Sequence, residues 1–402
     1  MHDPSRVRVS GPLQPHAAGY VLELARLGYT PLSAVLQLRL VAHLSRWLET
    51  ERLAQDGLAP AVIERFLEAR WAASYTHYAS ARAMRPIIEY LHRLGVVGPP
   101  PEREPATPLG MLLERYRGYL TIERLAPTTA RGYLAAVRPF LVGRITPAGL
   151  DLTDLTAADI TAFVAVRCPG QAPGSARLTV TALRSLLGFL HLDGILPRSL
   201  VAAVSRVASW RLAGLPKGLA PAEVGRLLAS CGRHTVSGCR DFAILTLLVR
   251  LGLRAGEVAG LELDDIDWRA SELVIRGKDN RAERLPLPAD VGEALADYLR
   301  RGRPASAQGR TVFVRVKAPH RALTSGGVSQ VVAAAGERAG LGSLHAHRLR
   351  HTAATEMLRA GGSLAEIGQV LRHRRALTTA IYAKVDRRAL RVLARPWPGG
   401  AA

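Results

Sequence analysis

The chain is short of lysine, cysteine and long apolar runs, and each shortage narrows what it can be. Only four of its 54 Lys and Arg residues are lysine, so a lysine at a motif position is informative. Cys168, Cys231 and Cys239 lack metal-type spacing and are expected to be thiols in a reducing cytoplasm. No apolar run reaches the roughly 18 residues of a membrane span, and residues 1–6 are polar, unlike a signal peptide, so we expect no membrane partner.

What the chain does contain is a large excess of positive charge on a globular composition. It has 402 residues, of which 48% are hydrophobic, a size and composition that predict two or three domains with real cores. The formal net charge is +21 and the isoelectric point about 11.0. A charge of this size favours a polyanionic partner, and nucleic acid fits better than a membrane surface.

Proline marks the main boundary in the chain. Residues 98–108 contain five prolines and predict a linker. Residues 20–95, in the block 1–97 before it, and residues 109–207 after it show helical periodicity, as in the helix that starts at Thr30-Pro31. The Thr156 to Asp159 spacing predicts a capping box for a helix that ends at Arg167.

The two helical blocks share short motifs in the same order, which favours a duplicated four-helix module. The matching pairs are residues 58–70 with 155–167, Ser80-Ala81-Arg82 with Ser175-Ala176-Arg177, Leu91-His92 with Leu190-His191, and Gly95 with Gly194. The offset stays between 95 and 99 residues. The alternative is the general similarity of helices rich in alanine and leucine.

The third block, residues 215–402, has a mixed pattern. An apolar helix is expected over 241–251, and Gly361-Gly362 is expected to separate two later helices. Strand-like runs at 272–276 and 283–287 predict a β-hairpin with Lys278 near its tip. Residues 311–315 are a third strand candidate. The predicted fold class is therefore mainly α with a small β-sheet.

Six side chains in the last third of the chain have the chemistry needed to move a phosphodiester onto a phenolic oxygen without a metal: Arg254, Lys278, His347, Arg350, His373 and Tyr382. The two guanidinium groups match phosphate oxygens bidentately. The phenol of Tyr382 can attack, with its pKa lowered beside two arginines. His347 can accept the phenolic proton.

The remaining two groups, Lys278 and His373, can serve the departing sugar oxygen and a phosphate oxygen. Lys278 on a mobile hairpin can donate a proton, and His373 can hold the phosphate from the other side.

Each assignment has a structural alternative. Arg254 could only pair with Glu257, although that pairing would also fix the arginine for catalysis. Lys278 could be a solvated hairpin tip, and Tyr382 a core aromatic residue. A zinc-type cluster of four histidines is disfavoured, because the His-Arg-Leu-Arg-His run lacks a glutamate and would set arginines beside the metal; its members would be His345, His347, His351 and His373.

The block from about 215 to 395 resembles the catalytic domain of the tyrosine recombinases, or phage integrases. The resemblance rests on Leu-Gly-Leu-Arg254-x-x-Glu257, Gly-Lys278, His347-x-Leu-Arg350-His-Thr, and Leu-x-His373 followed nine residues later by Tyr382. The gap of 24 residues from Arg254 to Lys278 fits the Xer-like branch. Residues 109–207 resemble the family's helical core-binding domain, of SAM-like type, which forms half of a clamp around duplex DNA.

The resemblance implies an α+β catalytic domain over 215–402 and a defined reaction. Tyr382 would attack the scissile phosphate and form a 3′-phosphotyrosyl link, and strands would exchange through a Holliday junction in a homotetramer on double-stranded DNA. No metal or nucleotide cofactor would be needed. A bacterial, nucleoid-associated cytoplasmic protein of a mobile element is expected, with the need for accessory recombinase subunits left open.

The chain departs from the family pattern at two positions and extends it at one end. Arg372 stands where the family usually has glycine, and is expected to add phosphate contacts together with Arg374 and Arg375. Ala353 stands where a larger aromatic residue is common. The block 1–97 lies outside the minimal architecture and could extend the clamp, bind further DNA sites or contact proteins.

Two other functions remain open from the sequence. One is a DNA relaxer of the type IB topoisomerase kind, and the other is a DNA-binding protein that has kept the fold without the chemistry. The basic run from Asp386 to Arg395 predicts a short amphipathic helix, which either docks on a neighbouring subunit or packs on its own domain.

Overall fold

The computed structural model describes residues 3–98, 107–147, 149–205, 218–277, 282–372 and 379–385. The predicted linker falls almost wholly outside these residues, and the basic tail after residue 385 falls entirely outside them. Lys278 and His373 also lie outside the described residues, as do Arg374 and Arg375. The predictions made for them therefore stay predictions.

The first block is built from four helices: α1 (Ala17–Arg26), α2 (Pro31–Thr50), α3 (Pro60–Ala72) and α4 (Ala81–Arg93). The predicted start of α2 is confirmed, because the Ser33 amide donates to Thr30 Oγ1 at 3.3 Å and Pro31 occupies the first helical position. Apolar side chains such as Leu38, Leu44 and Leu48 point from α2 into a core of this block's own.

The second block has the same number of helices in its described residues: α5 (Pro108–Ile122), α6 (Pro127–Val142), α7 (Ala157–Arg167) and α8 (Pro173–Leu192). A small antiparallel hairpin joins α6 to α7, formed by β1 (Ile145–Thr146) and β2 (Gly149–Leu150). The predicted capping box is confirmed, since the Thr156 amide donates to Asp159 Oδ2 at 2.9 Å and the Asp159 amide donates to Thr156 Oγ1 at 3.3 Å.

The last helix of each block ends in the same way. His92 and His191 each place ring Nδ1 against the carbonyl oxygen five residues later, at 2.9 and 3.1 Å. Gly95 and Gly194 follow with φ of +71° and +75°, a conformation that favours glycine. These shared turns support the proposal that the two blocks are copies of one module.

The third block consists of seven α-helices and a three-stranded antiparallel sheet in its described residues. The helices are α9 (Pro221–Ala229), α10 (Val236–Arg250), α11 (Ala255–Ala259), α12 (Ala289–Asp297), α13 (Ser325–Arg338), α14 (Ala346–Arg359) and α15 (Leu364–Val370). The strands are β3 (Ile266–Asp267), β4 (Glu272–Arg276) and β5 (Ala282–Pro286), in the order β3-β4-β5. A π-helical turn, Tyr298–Gly302, follows α12, and a 3₁₀ helix, Ala380–Val385, carries Tyr382.

The predicted hairpin is confirmed, with Leu273 opposite Leu285 in the register of β4 and β5. The predicted strand at 311–315 is wrong. The Val312 amide donates to Leu261 at 2.8 Å, and the Phe313 carbonyl accepts from Leu323 at 2.9 Å. The segment thus lies between two different partners and makes isolated bridges instead of a continuous ladder with one neighbouring strand.

The two other helix predictions in this block are also confirmed. The apolar helix predicted over 241–251 is α10, which begins earlier, at Val236, because Thr235 caps it. Its side chains are buried along most of its length, so it runs through the middle of the block's core. Gly361 and Gly362 separate α14 from α15, as expected.

The described residues divide into two compact units. One comprises residues 98–211, and the other comprises residues 1–97 together with residues 212–402. The first and third blocks therefore belong to one body, although each has a core of its own. In the part of the chain that the structure describes, no helix is long and apolar enough to cross a membrane.

Candidate active site

Arg254 is set by a tight turn at the end of α10. Gly252 has φ of +59°, and a Cβ there would lie 2.6 Å from Leu371 Cδ2, so only glycine suits the position. Two residues later Arg254 caps α11, and its amide donates to Glu257 Oε2 at 2.8 Å. Its guanidinium donates to Glu257 Oε1 at 2.6 Å and remains 48% exposed. The predicted pairing that fixes this arginine is confirmed.

Glu257 holds two arginines at once. Its side chain is 6% exposed, and Oε2 accepts from Arg372 Nη2 at 2.8 Å as well as from the Arg254 amide. Burial alone would raise the pKa of Glu257, but the charge and hydrogen bonds of Arg372, with those of Arg254, lower it below its ordinary value. The carboxylate is therefore ionised at neutral pH and ties the α11 turn to the end of α15.

Arg372 lines the same cavity as Arg254 but is turned toward the protein, and its expected phosphate contact stays a prediction. Arg372 adopts φ of +54°, a left-handed conformation that is strained for a residue with a Cβ. Its side chain is 5% exposed and points to Glu257, while Nη1 donates to the Val370 carbonyl at 2.9 Å. The guanidinium stabilises the site from inside, since its hydrogen bonds go to the protein.

Arg350 is the most deeply buried charge of the site. It lies on α14 with 2% of the residue exposed, and Nη1 donates to the Gly252 carbonyl at 2.6 Å. Nη2 donates to the Leu371 carbonyl. Burial, with a contribution from Arg254, lowers the pKa of Arg350 to about 10, so the guanidinium stays charged at neutral pH. Its two carbonyl partners hold the turn before α11 and the end of α15 against α14.

His347 and His351 lie one turn apart on the same face of α14. Their rings meet edge to face with centroids 4.5 Å apart. Burial, together with Arg350 and Arg254, lowers the pKa of His347. Burial, together with His347 and Arg350, lowers the pKa of His351 to about 4. Both rings are therefore neutral at pH 7, and His347 is able to accept a proton.

Three of the six predicted residues share one cavity of about 910 Å³. Arg254, His347 and Arg350 line it, and so do Arg276 and Glu283 on the two strands of the hairpin. Basic side chains and the neutral His347 thus face a space large enough for a phosphodiester. The tip of the hairpin, which includes Lys278, lies outside the described residues.

Tyr382 is close to this cavity without lining it. The residue is 1% exposed and packs with Ala354, Ile367 and Leu371, and its hydroxyl lies 2.9 Å from His351 Nδ1. Burial raises the pKa of Tyr382, and Arg350 offsets this in part. The expectation of a lowered pKa beside two arginines is therefore wrong for this conformation. The phenol is buried in the core as a neutral group, and we call this arrangement the stored conformation.

The alternative of a histidine metal cluster finds no support in the geometry. Among the residues that the structure describes, no group of three or more His, Cys, Asp or Glu side chains is arranged to hold a metal ion. His351 instead faces the Tyr382 hydroxyl. His373, the fourth histidine of that alternative, lies outside the described residues.

Sequence reasoning missed the parts played by His351 and Arg372. A signal for His351 was present, because it follows His347 by four residues on a helix and must lie on the same face. No local pattern pointed to the Arg372–Glu257 pair, whose members are 115 residues apart.

Comparison with known proteins decides the family. The model of the phage integrase family matches residues 217–388. The protein named "Putative integrase/recombinase y4rA" of Sinorhizobium fredii is 40% identical over 97% of this chain and 96% of its own length. The tyrosine recombinase XerD of Mycobacterium tuberculosis is 33% identical over 72% of this chain and 97% of its own length. The chain belongs to the phage integrase family.

A solved structure shows that the family fold extends beyond the catalytic block. A lambda integrase tetramer bound to a Holliday junction aligns with a TM-score of 0.53, over 80% of this chain and 90% of that chain, at 19% identity. The match to y4rA further includes the first helical block. The fold class predicted from the sequence, mainly α with a small sheet, is confirmed, and the chain is a tyrosine recombinase.

Proposed function

We propose that this recombinase cleaves and rejoins DNA at specific sites through a 3′-phosphotyrosine on Tyr382, as the integrase of a mobile element. One observation carries the proposal. Arg254, His347 and Arg350 line a single cavity, while Tyr382 is buried next to it with its hydroxyl against the His351 ring. A protein that only bound DNA would not need a buried phenol that contacts a neutral histidine and lies near the Arg350 guanidinium.

The two arginines neutralise the non-bridging oxygens of the scissile phosphate. Each guanidinium is held in place before substrate arrives, Arg254 by Glu257 and Arg350 by two backbone carbonyls. Groups fixed in advance need little reorganisation as negative charge develops in the transition state. The remaining N–H donors of Arg254 face the cavity from a half-exposed side chain.

The reaction is a transfer between two phosphodiesters. Oη of Tyr382 attacks phosphorus and its proton passes to His347, while the bond from phosphorus to the 5′ oxygen breaks and that oxygen takes a proton from Lys278. His373 holds a phosphate oxygen. A 5′-hydroxyl of the partner strand then reverses these steps, so the bond energy is conserved and no cofactor is required.

The phenol has to leave its stored position before it can attack. In the described conformation it is buried, its pKa is raised, and it contacts His351 at 2.9 Å. We therefore assign cleavage to a conformation in which the segment around Tyr382 has moved toward the cavity. Binding of DNA would supply the difference in free energy between the two conformations.

The proposed partners are double-stranded DNA and three further copies of the chain. The aligned lambda integrase structure contains a tetramer on a Holliday junction, which supports this stoichiometry. We assign the second block, residues 109–207, to DNA binding. Arg131 and Arg138 support this, because they are exposed on α6 two turns apart and are suited to phosphate contacts. Accessory recombinase subunits would be invoked only if the purified chain failed to form a synapse.

Trapping on suicide substrates tests the proposal. Nicked duplexes drawn from DNA that flanks the gene are incubated with the wild type, Tyr382→Phe and Tyr298→Phe in EDTA, and are resolved on denaturing gels. Tyr298 is the matched control, because it is a buried tyrosine of the same block with its hydroxyl bonded to the Val314 amide. A covalent band with the wild type and Tyr298→Phe, and none with Tyr382→Phe, is expected.

Three results would contradict the proposal in different ways. An adduct that persists in Tyr382→Phe would show that another residue is the nucleophile. Tight binding to flanking DNA without any adduct would favour the non-catalytic DNA-binding protein. Relaxation of supercoiled plasmid without joined products would favour the relaxer.

A further inference from the structure

We propose that a second basic cavity, formed between the first helical block and the catalytic block, binds the phosphodiester backbone of nucleic acid. It measures about 920 Å³, is lined by residues of both blocks, and shares no lining residue with the active-site cavity. Both blocks belong to one compact unit. This proposal rests on the proposed function, because it assumes that DNA is the polyanion that the protein meets.

Direct contacts hold the two walls of the cavity together. Arg321 of the catalytic block pairs with Glu89 of α4. Arg26 Nη1 donates to Gln308 Oε1 at 2.6 Å. The approach is so close at Gly28 that a Cβ there would lie 2.5 Å from His320 Cδ2. These contacts between the first helical block and the catalytic block hold the walls of the cavity in place.

The charges on its walls are mostly positive, and most of the positive side chains have no ion-pair partner in the described part of the chain. Arg82 and Arg85 face it from α4, and Arg315 and Lys317 face it from the catalytic block. None of these four side chains has an ion-pair partner among the described residues. Among the described lining residues the acidic side chain is Glu89, which Arg321 already neutralises. Unpaired cations facing a common space repel each other unless an anion lies between them.

Two helix starts add positive potential at the same place. Thr30, the N-cap of α2, and Ser80, the N-cap of α4, both line the cavity. Neither helix has an acidic residue in its first turn, where a carboxylate would normally balance the helix dipole. An oxyanion bound in the cavity would interact favourably with the positive N-terminal ends of both helices and with the four basic side chains.

The distribution of the cations favours a chain of phosphates over one small anion. Positive side chains stand on both walls, and Arg82 and Arg85 are one turn apart along α4, so that they face the same side. A nucleic acid backbone presents phosphates at regular intervals and can meet both walls at once. Because the active-site residues lie elsewhere, the segment bound here is distinct from the one that is cleaved.

Replacing two basic side chains at a time with glutamine tests the proposed binding site on the full-length protein. The variants are R82Q/R85Q on the first wall and R315Q/K317Q on the second, with R39Q/R46Q as the control. Arg39 and Arg46 are exposed on α2 and do not line the cavity. Binding of a fluorescent duplex is measured by anisotropy over a range of salt concentrations. Each wall variant is expected to lower the slope of log K against log salt by about 1.8, since each phosphate contact contributes about 0.9. The control is expected to keep the wild-type slope.

Hydrogen exchange of the amides at 80–89 and 315–321 locates the ligand. The duplex is expected to protect both segments in the wild type and neither in the wall variants. Protection by ATP or pyrophosphate without protection by the duplex would overturn the assignment to nucleic acid. Wild-type slopes in the wall variants would overturn the site itself. Covalent adduct formation, measured separately on the same variants, reports on the proposed function and is expected to survive at low salt.

Discussion

Arg372 donates to Glu257 through Nη2 at 2.8 Å, and the two side chains are only 5% and 6% exposed. The pair connects the end of α15 to the first turn of α11, where the same carboxylate holds Arg254. Arg372 stands at a strained φ of +54° that glycine would adopt without strain. The ion pair therefore offsets a backbone penalty at this position.

Arg372→Gly is expected to destabilise the protein, although it relieves backbone strain. Relief of the left-handed conformation contributes about 1 to 3 kcal/mol, whereas removal of one partner of a buried ion pair costs about 3 to 5 kcal/mol. We expect a net loss of about 2 kcal/mol in the free energy of unfolding, measured by urea denaturation.

Ser271→Gly isolates the backbone contribution to that result. Ser271 has the same φ of +54°, but it is exposed in a turn and its side chain carries no charge. This variant is expected to be as stable as the wild type or slightly more stable. An Arg372→Gly protein as stable as Ser271→Gly would show that the buried pair contributes nothing.

Gly252→Ala is expected to damage stability and cleavage together. The added Cβ would meet Leu371 Cδ2 at 2.6 Å at a φ of +59°, and Gly252 supplies the carbonyl that holds Arg350. Strain and overpacking together are expected to cost about 2 to 4 kcal/mol. Single-turnover adduct formation is expected to slow because the Arg350 guanidinium loses its position.

Gly340→Ala is the matched control for the glycine at 252. Its φ of +67° is similar, but a Cβ there would meet nothing within 4 Å. Only the backbone penalty of about 1 to 2 kcal/mol is expected, with normal adduct formation. Equal losses in the two variants would mean that the contact with Leu371 is irrelevant.

The cleavage rate is expected to depend on pH through His347. Because burial lowers its pKa below the usual 6.5, the neutral base persists to lower pH than in free histidine. The single-turnover rate should be level above about pH 6.5 and should fall as pH drops through the lowered pKa. The same sign holds for stability, since protonation of a buried neutral histidine disfavours the fold.

His347→Asn is expected to flatten this profile and slow adduct formation about 10²- to 10⁴-fold. His234→Asn, at an exposed histidine of the same block, should retain the wild-type profile. A profile that is unchanged in His347→Asn would assign the proton to another group.

His351→Leu is expected to accelerate adduct formation. The Tyr382 hydroxyl lies 2.9 Å from His351 Nδ1 in the stored conformation, and leucine removes that partner. Loss of one hydrogen bond of about 0.5 to 1.5 kcal/mol would favour release of the tyrosine about 2- to 10-fold. Rapid-quench measurement of the first turnover checks this, with Tyr382→Phe as the blank. A rate reduced as far as in His347→Asn would make His351 part of the chemistry instead.

Much of the fold followed from interactions between near neighbours in the chain. Thr30-Pro31 and the Thr156–Asp159 box predicted helix starts correctly because caps act over three residues. The strand at 272–276 was predicted with its exact limits from its composition. Residues 311–315 have the same local character, yet lie between two single partners, because pairing depends on segments that are distant in the chain.

The sequence by itself determined the family, the fold class and the chemical inventory of the site, since these reside in residue types and spacing. Only the tertiary structure decided which partners these side chains contact and how deeply they are buried. It directs Arg372 inward to Glu257, stores Tyr382 against His351 with a raised pKa, and joins the first block to the catalytic block in one unit. Burial and contacts between residues far apart in the chain control these outcomes, and neither is encoded in any local pattern.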